Sequence, residues 1–242
     1  MKKNYNLNVR AMTRFVIALS FFSTTAFAQV GENDSTFNTP DIVPNVNKGS
    51  NFPVRATAAQ GDNSKLILTG DFTTYNGETH NHIVRLLADG SIDNSFHEGT
   101  GLNATPASVA VQADNKIIVG GNFTSYNGIS VNGLIRLNAD GSLDSSFAAA
   151  NLLGPSAKIK VQPNGKVLLL SSYGLSRLNA DGTIDSTFSN PQYYGGKDYA
   201  VQADGKIIIA YEVSDSVRLY RLLANGGLDS SYTAEIEIRD GA

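Results

Sequence analysis

The chain repeats itself, and no other feature limits its fold so strongly. Four segments nearly superimpose: RLLADGSIDNSF over Arg85–Phe96, RLNADGSLDSSF over Arg136–Phe147, RLNADGTIDSTF over Arg177–Phe188 and RLLANGGLDSSY over Arg221–Tyr232. A partial copy, Asn33-Asp34-Ser35-Thr36-Phe37, precedes them. The recurring aspartates 34, 93, 144, 185 and 229 are 59, 51, 41 and 44 residues apart. A second motif interleaves with the first, as VQADNKIIVGG from Val111, VQPNGKVLLL from Val161 and VQADGKIIIA from Val201, with AQGDNSKLILTG from Ala59 as a looser version. Periods of about 40–50 residues signal a repeat architecture, so the fold is to be read from its unit.

Within the second repeat, Ala107–Gln112 and Lys116–Gly121 read as strands around the turn Ala113-Asp114-Asn115. Asn122–Gly128 reads as a loop, Asn132–Asn138 as a third strand, and Asp140-Gly141 as the turn into a fourth, Ser142–Phe147. Asx-Gly pairs between apolar runs are strong hairpin signals, because both residues tolerate the positive φ of primed turns. Outside residues 1–28, no window of ten or more residues carries a helical apolar stripe. The expected fold class is therefore all-β, a β-propeller of four-stranded antiparallel blades. A β-solenoid is the alternative, although its coils are usually shorter. The repeats fall at about 38–96, 97–147, 148–188 and 189–232, with a partial fifth at 233–242, all within 29–242.

The two motifs together, Q-x-D-G-K-I-hydrophobic and R-L-N-x-D-G-S-[IL]-D-x-[ST]-F, resemble the delta-60 repeat family of bacterial β-propellers over residues 33–242. That resemblance implies exported or surface-exposed propellers, often followed by a C-terminal sorting domain, and implies no established activity. This chain has four full repeats and no segment matching such a sorting domain.

Residues 1–28 read as a signal peptide. Lys2, Lys3, Arg10 and Arg14 make a positive start, Phe15–Phe22 a short apolar core, and Ser23–Ala28 ends in a small-x-small pattern. The apolar core is far shorter than the about 20 residues that cross a bilayer. No transmembrane anchor is expected, and no Cys follows Ala28 to carry a lipid. Cleavage would remove four cations and both methionines, Met1 and Met12, leaving 15 Lys+Arg against 22 Asp+Glu, a net charge of -7. The exported chain would then hold no sulfur, so its folding is indifferent to an oxidising compartment. The acidic balance excludes a nucleic-acid footprint, and the absence of Cys excludes disulfides, thiol nucleophiles and Cys-ligated zinc. Secretion or outer-surface display is the expected destination, with the periplasm as an alternative.

The two ends suggest an unfinished blade. Asn33–Phe37 is a fourth-strand motif with no preceding strands, and Thr233–Arg239 (TAEIEIR) alternates like a lone first strand. The expectation is a fragment of a larger propeller whose remaining blades lie beyond residue 242. Closure with four blades is the alternative.

Candidate chemistry is sparse. Asn138–Asp144 resembles a D-x-D-x-D-G calcium loop, but Arg136 occupies the first ligand slot, as Arg85, Arg177 and Arg221 do in the other repeats. A guanidinium would repel the metal and satisfy a carboxylate instead. The expectation is a structural pair in each repeat: Arg85 with Asp93, Arg136 with Asp144, Arg177 with Asp185, and Arg221 with Asp229. No metal or cofactor is expected. His80 and His82 would share one strand face, but two imidazoles leave a tetrahedral site half empty, so they read as a solvated strand-end pair. His97 is isolated in a loop, and no Ser-His-Asp framework is evident. Phe72, Tyr75, Phe123 and Tyr126, in the recurring G-[DN]-F-T-[TS]-Y-N-G segments, read as packing between blades rather than as sugar platforms.

Function is expected where a repeat breaks its own pattern. That criterion selects Tyr193 and Tyr194 on the loop Asn190–Gly196, as candidate ligand contacts with an ordinary packed loop as the alternative, and the proline-bearing stretch Asn38–Pro53. The expected role is a non-enzymatic module that binds a protein or glycan at the cell surface. The alternative is an extracellular polysaccharide hydrolase or lyase with non-repeated carboxylates in a central channel, for which Asp198 and Glu212 are candidates.

Overall fold

The computed structural model of the protein describes residues 49–61, 64–148, 158–189, 196–213 and 216–232. The segment 1–28 expected to be a signal peptide, the copy at 33–37, the loop carrying Tyr193 and Tyr194, and the strand expected at 233–239 lie outside these residues. The chain divides into two compact bodies, Asp34–Tyr194 and Met1–Asn33 with Gly195–Ala242.

The larger body holds the first three repeats as antiparallel sheets. In the first repeat β1 (Val54–Gln60), β2 (Lys65–Gly70) and β5 (Ile83–Leu87) pair in that order, and β3 (Thr74–Tyr75) with β4 (Glu78–Thr79) forms a small hairpin between β2 and β5. The second repeat reproduces this plan with β6 (Pro106–Val111), β7 (Ile117–Gly121), the hairpin β8 (Ser125–Tyr126) and β9 (Ile129–Ser130), and β10 (Leu134–Leu137). The third keeps only β11 (Lys158–Val161), β12 (Val167–Ser171) and β13 (Gly174–Leu178), because its β12–β13 connection is two residues long. The smaller body contains β14 (Gly196–Val201), β15 (Ile207–Val213) and β16 (Ser216–Leu222), again consecutive and antiparallel. Among the described residues the chain forms strands and turns only, and no helix is long and apolar enough to cross a membrane.

The fold is thus all-β, and each sheet is a meander as the repeats require. The fourth segment behaves differently from a full strand. It touches the third strand at a single bridge in each repeat: Leu86 with Ile92, Leu137 with Leu143, Leu178 with Ile184, and Leu222 with Leu228. The cause is local. The aspartate after each bridge turns its carboxylate onto the Ser or Thr two residues on, and the aromatic residue's N–H folds back onto the aspartate carbonyl (Phe96 to Asp93, 3.0 Å). The ladder ends in this tight Asx turn. The stretch 122–128, read as a loop, contains half of a two-residue hairpin whose turn, Asn127-Gly128, has φ of 48° and 73°. That is the geometry Asn-Gly supplies for a primed turn.

The core of the larger body lies between successive sheets. Ile67 and Ile83 of the first repeat pack with Val109, Val119, Phe123, Tyr126 and Ile135 of the second. Ile118, Leu134 and Phe147 of the second repeat pack likewise with Val167, Leu169 and Leu178 of the third. Both faces of the second repeat's sheet are therefore buried, which is why Ile117, Ile118 and Val119 are consecutive apolar residues rather than alternating ones. The first strands stand side by side, β6 packing against both β1 and β11, with Ile159 N–H donating to Ser108 Oγ at 3.0 Å.

Candidate functional site

The repeated polar residues assemble into one node per repeat. Arg85 lies on β5, and the Asx turn that follows carries Asp93 back beneath it. Arg85 Nε donates to Asp93 Oδ2 at 2.8 Å, and Lys65 Nζ on β2 reaches the same oxygen at 2.8 Å. The other oxygen, Oδ1, accepts the Ser95 N–H at 3.0 Å and its hydroxyl at 2.6 Å. The guanidinium lies over the Phe96 ring, 4.7 Å from its centroid. The same set recurs as Arg136, Lys116, Asp144, Ser146 and Phe147; as Arg177, Lys166, Asp185, Thr187 and Phe188; and as Arg221, Lys206, Asp229, Ser231 and Tyr232. The structure thus brings together each Arg and Asp paired from the sequence and adds a lysine to each pair.

All four node aspartates are held ionised, well below the usual carboxylate range. At Asp93 and Asp144 burial opposes the charge, but the lysine, the serine and the arginine outweigh it. At Asp185 the Lys166 ammonium leads, and at Asp229 the Ser231 hydroxyl leads, followed by Lys206. A carboxylate with four donors has no capacity left for a cation, which explains physically why the calcium-like spacing serves the fold.

The nodes also join neighbouring repeats. Arg85 Nη1 donates to Gln60 Oε1 at 2.9 Å and to the Ala139 carbonyl in the second repeat. Arg136 Nη1 likewise reaches the Ala180 carbonyl in the third. Each target precedes an Asp-Gly turn, and the glycine is required twice over. Gly141 has φ 91°, and a Cβ there would lie 2.7 Å from the Phe96 ring; Gly182 has φ 88° and meets Phe147 in the same way.

The histidines depart from the sequence reading. His80 and His82 are neither a solvated pair nor on a strand, since β4 ends at Thr79 and β5 begins at Ile83. His80 is buried, its Nδ1 2.6 Å from Glu98 Oε1, while His82 takes φ 67° and sets its Nδ1 2.9 Å from the Gly70 carbonyl. The left-handed turn breaks the strand alternation that would have placed the rings side by side. Phe72, Tyr75, Phe123 and Tyr126 are all buried, and the Tyr126 hydroxyl donates to the Gly141 carbonyl at 2.7 Å, so these aromatics are packing residues. Asp198 lies on the first strand β14, where its Oδ1 accepts the Tyr199 N–H at 2.8 Å, and Glu212 falls within β15.

An open concavity of about 710 Å³ lies between the starts of β1 and β6, lined by Pro53, Val54, Arg55, Thr105, Pro106, Ala107 and Asn122. Both strands begin with a β-bulge there, and Gly70 and Gly121 admit the bulged chain so closely that a Cβ on either would strike its backbone. Bulges re-aim side chains, and β1 uses this one to present Arg55. Arg55 forms a bidentate pair with Asp71, Nε to Oδ1 and Nη2 to Oδ2, both at 2.7 Å. The Arg55 bonds, with a contribution from Thr105 of the next repeat, hold Asp71 below its ordinary pKa against its partial burial.

The repeat equivalence is fixed by the backbone. The Asp71 N–H donates to the Pro53 carbonyl at 2.9 Å as the Asn122 N–H does to that of Thr105 at 3.3 Å. Arg55 and Asp71 therefore stand where the second repeat has Ala107 and Asn122. Sequence reading missed this pair because Arg55 precedes the motif that defines the repeat. The signal was present in the Gly-Asp-Phe against Gly-Asn-Phe difference at Asp71 and Asn122.

Residues 62–96, 112–147, 162–188 and 202–232 match the family described as domain of unknown function (DUF5122) beta-propeller. No curated protein matches the chain. Among solved structures, a protein of unknown function from Bacteroides caccae is 11% identical with a TM-score of 0.43, the alignment covering 72% of this chain and 57% of that one. The GH74 xyloglucanase from Xanthomonas campestris is 14% identical with a TM-score of 0.43, over 72% of this chain and 30% of the enzyme. A gluconolactonase from Xanthomonas campestris is 16% identical with a TM-score of 0.33, over 63% of this chain and 67% of that one. The chain thus spans little more than half the length of the first of these. The family match alone carries weight for what the chain is.

Proposed function

The chain belongs to the DUF5122 beta-propeller family, and from that premise we propose that it is an exported, non-enzymatic binding module that engages a protein or glycan at the cell surface through the concavity at the starts of β1 and β6. The observation that carries this reading is the Arg55–Asp71 pair. The node charges recur from repeat to repeat, whereas this pair occupies positions that are Ala107 and Asn122 in the second repeat, with Lys197 and Glu212 at the matching register in the fourth. An exposed, fixed donor–acceptor pair on a rigid strand start suits recognition of polar groups.

Export is supported by the three-part pattern of residues 1–28. The delta-60 designation is supported by the two interleaved motifs, which recur in register four times. Asp71 does not suit the part of a glycosidase's general acid. A glycosidase needs one carboxyl group with a raised pKa to protonate the leaving group. Asp71 is instead held below its ordinary value by Arg55, which suits a hydrogen-bond acceptor.

The test is a parallel binding and turnover screen of the full chain on a glycan array and on intact bacterial cells. Wild type is compared with Arg55→Ala and Asp71→Asn. Retention that both substitutions weaken, without product release, is the expected result. Release of reducing ends or unsaturated sugars overturns the reading, as does retention that neither substitution alters.

A further inference from the structure

Three differences between the first two repeats converge on one place. The backbone bridge of Ser50 to Tyr75 corresponds to that of Leu102 to Tyr126. Asn51 and Asn103 are then equivalent, and they make the same bonds. Asn51 Oδ1 accepts the N–H groups of Thr73 (2.9 Å) and Thr74 (3.0 Å), and its Nδ2 donates to Thr73 Oγ1 (3.0 Å). Asn103 Oδ1 accepts those of Thr124 and Ser125, both at 2.9 Å, and its Nδ2 donates to Thr124 Oγ1 at 2.9 Å. The residues that follow can therefore be compared one by one. Phe52 corresponds to Ala104, Arg55 to Ala107, and Asp71 to Asn122.

Ala104 packs against the core, whereas Phe52 is 57% exposed. Phe52 immediately precedes Pro53 and Val54, which line the concavity. Its backbone is not loose, because the Asn51 side chain immediately before it is pinned by three hydrogen bonds. The first repeat thus carries an exposed aromatic residue three positions before Arg55 and its fixed partner Asp71, and the second repeat has neither.

We infer that Phe52, Arg55 and Asp71 form a subsite for one pyranose ring within a neutral glycan chain, a conclusion that rests on the concavity being the binding surface. A pyranose is two-sided in the same way. Its axial C–H groups present an apolar face that covers an aromatic ring, and its rim carries hydroxyls that both donate and accept. Phe52 supplies the platform. Two of the five Arg55 N–H groups are spent on Asp71, which leaves donors for hydroxyl oxygens, and the Asp71 carboxylate retains lone pairs for hydroxyl protons. Mutual neutralisation of Arg55 and Asp71 removes any preference for a charged sugar. The concavity is open, so the glycan runs through it rather than ending in it.

The chain contains no tryptophan, and this makes the subsite directly observable. Phe52→Trp would introduce a single indole fluorophore at the platform. The full chain and its variants are titrated with cellohexaose, xylohexaose, mannohexaose and maltohexaose, by calorimetry and, for Phe52→Trp, by emission. At least one hexasaccharide is expected to bind, with a shift in indole emission on saturation. Phe52→Ala is expected to weaken that binding about tenfold or more, the loss of a stacked aromatic surface, with an unchanged thermal midpoint. Phe52→Trp is expected to keep or tighten it. Binding that Phe52→Ala leaves intact overturns the inference, and so does a panel in which no hexasaccharide binds. If Arg55→Ala nevertheless abolishes retention on cells, the concavity remains the binding surface and only the sugar assignment fails. If it does not, both fall.

Discussion

The polar node and the concavity both rest on an Arg–Asp pair, and their differences separate scaffold from function. At Arg85–Asp93 the pair is buried, joined by Lys65, Ser95 and Phe96, and repeated in register four times. At Arg55–Asp71 the pair is bidentate but exposed, has no equivalent in the second repeat, and stands beside an open concavity. The same two side-chain types are buried and cross-linked in the node, and solvent-facing at the concavity.

Breaking the node is the strongest test of that contrast. Asp144→Ala would leave Arg136 and Lys116 without their shared acceptor inside the sheet interface. Loss of one partner of a buried pair costs about 3–5 kcal/mol, equivalent to a fall of roughly 6–20 °C in thermal midpoint for a domain of this size. Asp71→Ala, at the exposed pair, is expected to leave the midpoint unchanged while lowering ligand retention. Calorimetric scans of the two variants decide the matter, and equal effects would erase the distinction.

A smaller effect is expected at the joints between repeats. Gly141→Ala must take φ 91° and push against the Phe96 ring, whereas Gly128→Ala takes φ 73° with nothing within 4 Å. The strained conformation alone costs about 1 kcal/mol, and overpacking adds about 1–3 kcal/mol at Gly141 only. Denaturant midpoints should therefore order wild type above Gly128→Ala above Gly141→Ala.

Acid provides the gentlest perturbation. The node aspartates have folded pKa values below their unfolded value of about 3.9. The unfolded chain therefore binds protons first, and the stability the nodes contribute is complete above about pH 5 and lost as the pH falls through 4 and lower. Urea unfolding between pH 3 and 7 should show a plateau and then a decline. In Asp144→Asn the decline should be shallower, because one such group no longer titrates.

How much of this was legible depends on distance along the chain. Each Arg–Asp pair lies eight residues apart within one motif, so the spacing exposed it. Lys65 and Lys116 are 28 residues before their aspartates and in the other motif, and only the pairing of β2 with β5 and of β7 with β10 brings the two motifs together. The turn glycines were read for their φ, but not for their contact with the preceding repeat's aromatic, since nothing local records that neighbour. The His80 and His82 reading failed because a single left-handed residue, His82, ended the alternation it assumed. The concavity was the hardest to see. Its residues are defined by failing to match the second repeat, and the backbone bonds of Asp71 and Asn122 fix that comparison.

The contact between Phe96 and Gly141, repeated by Phe147 and Gly182, has a meaning beyond packing. The second repeat presents an aromatic plug, Phe147, on one side and a glycine-floored socket, Gly141, on the other, so the joint is heterologous and has a direction. A duplicated unit arrives with both halves of the joint already made. Such a chain can lengthen by whole repeats without inventing a new interface, which leaves a single repeat free to drift at its strand starts while its neighbours keep the form.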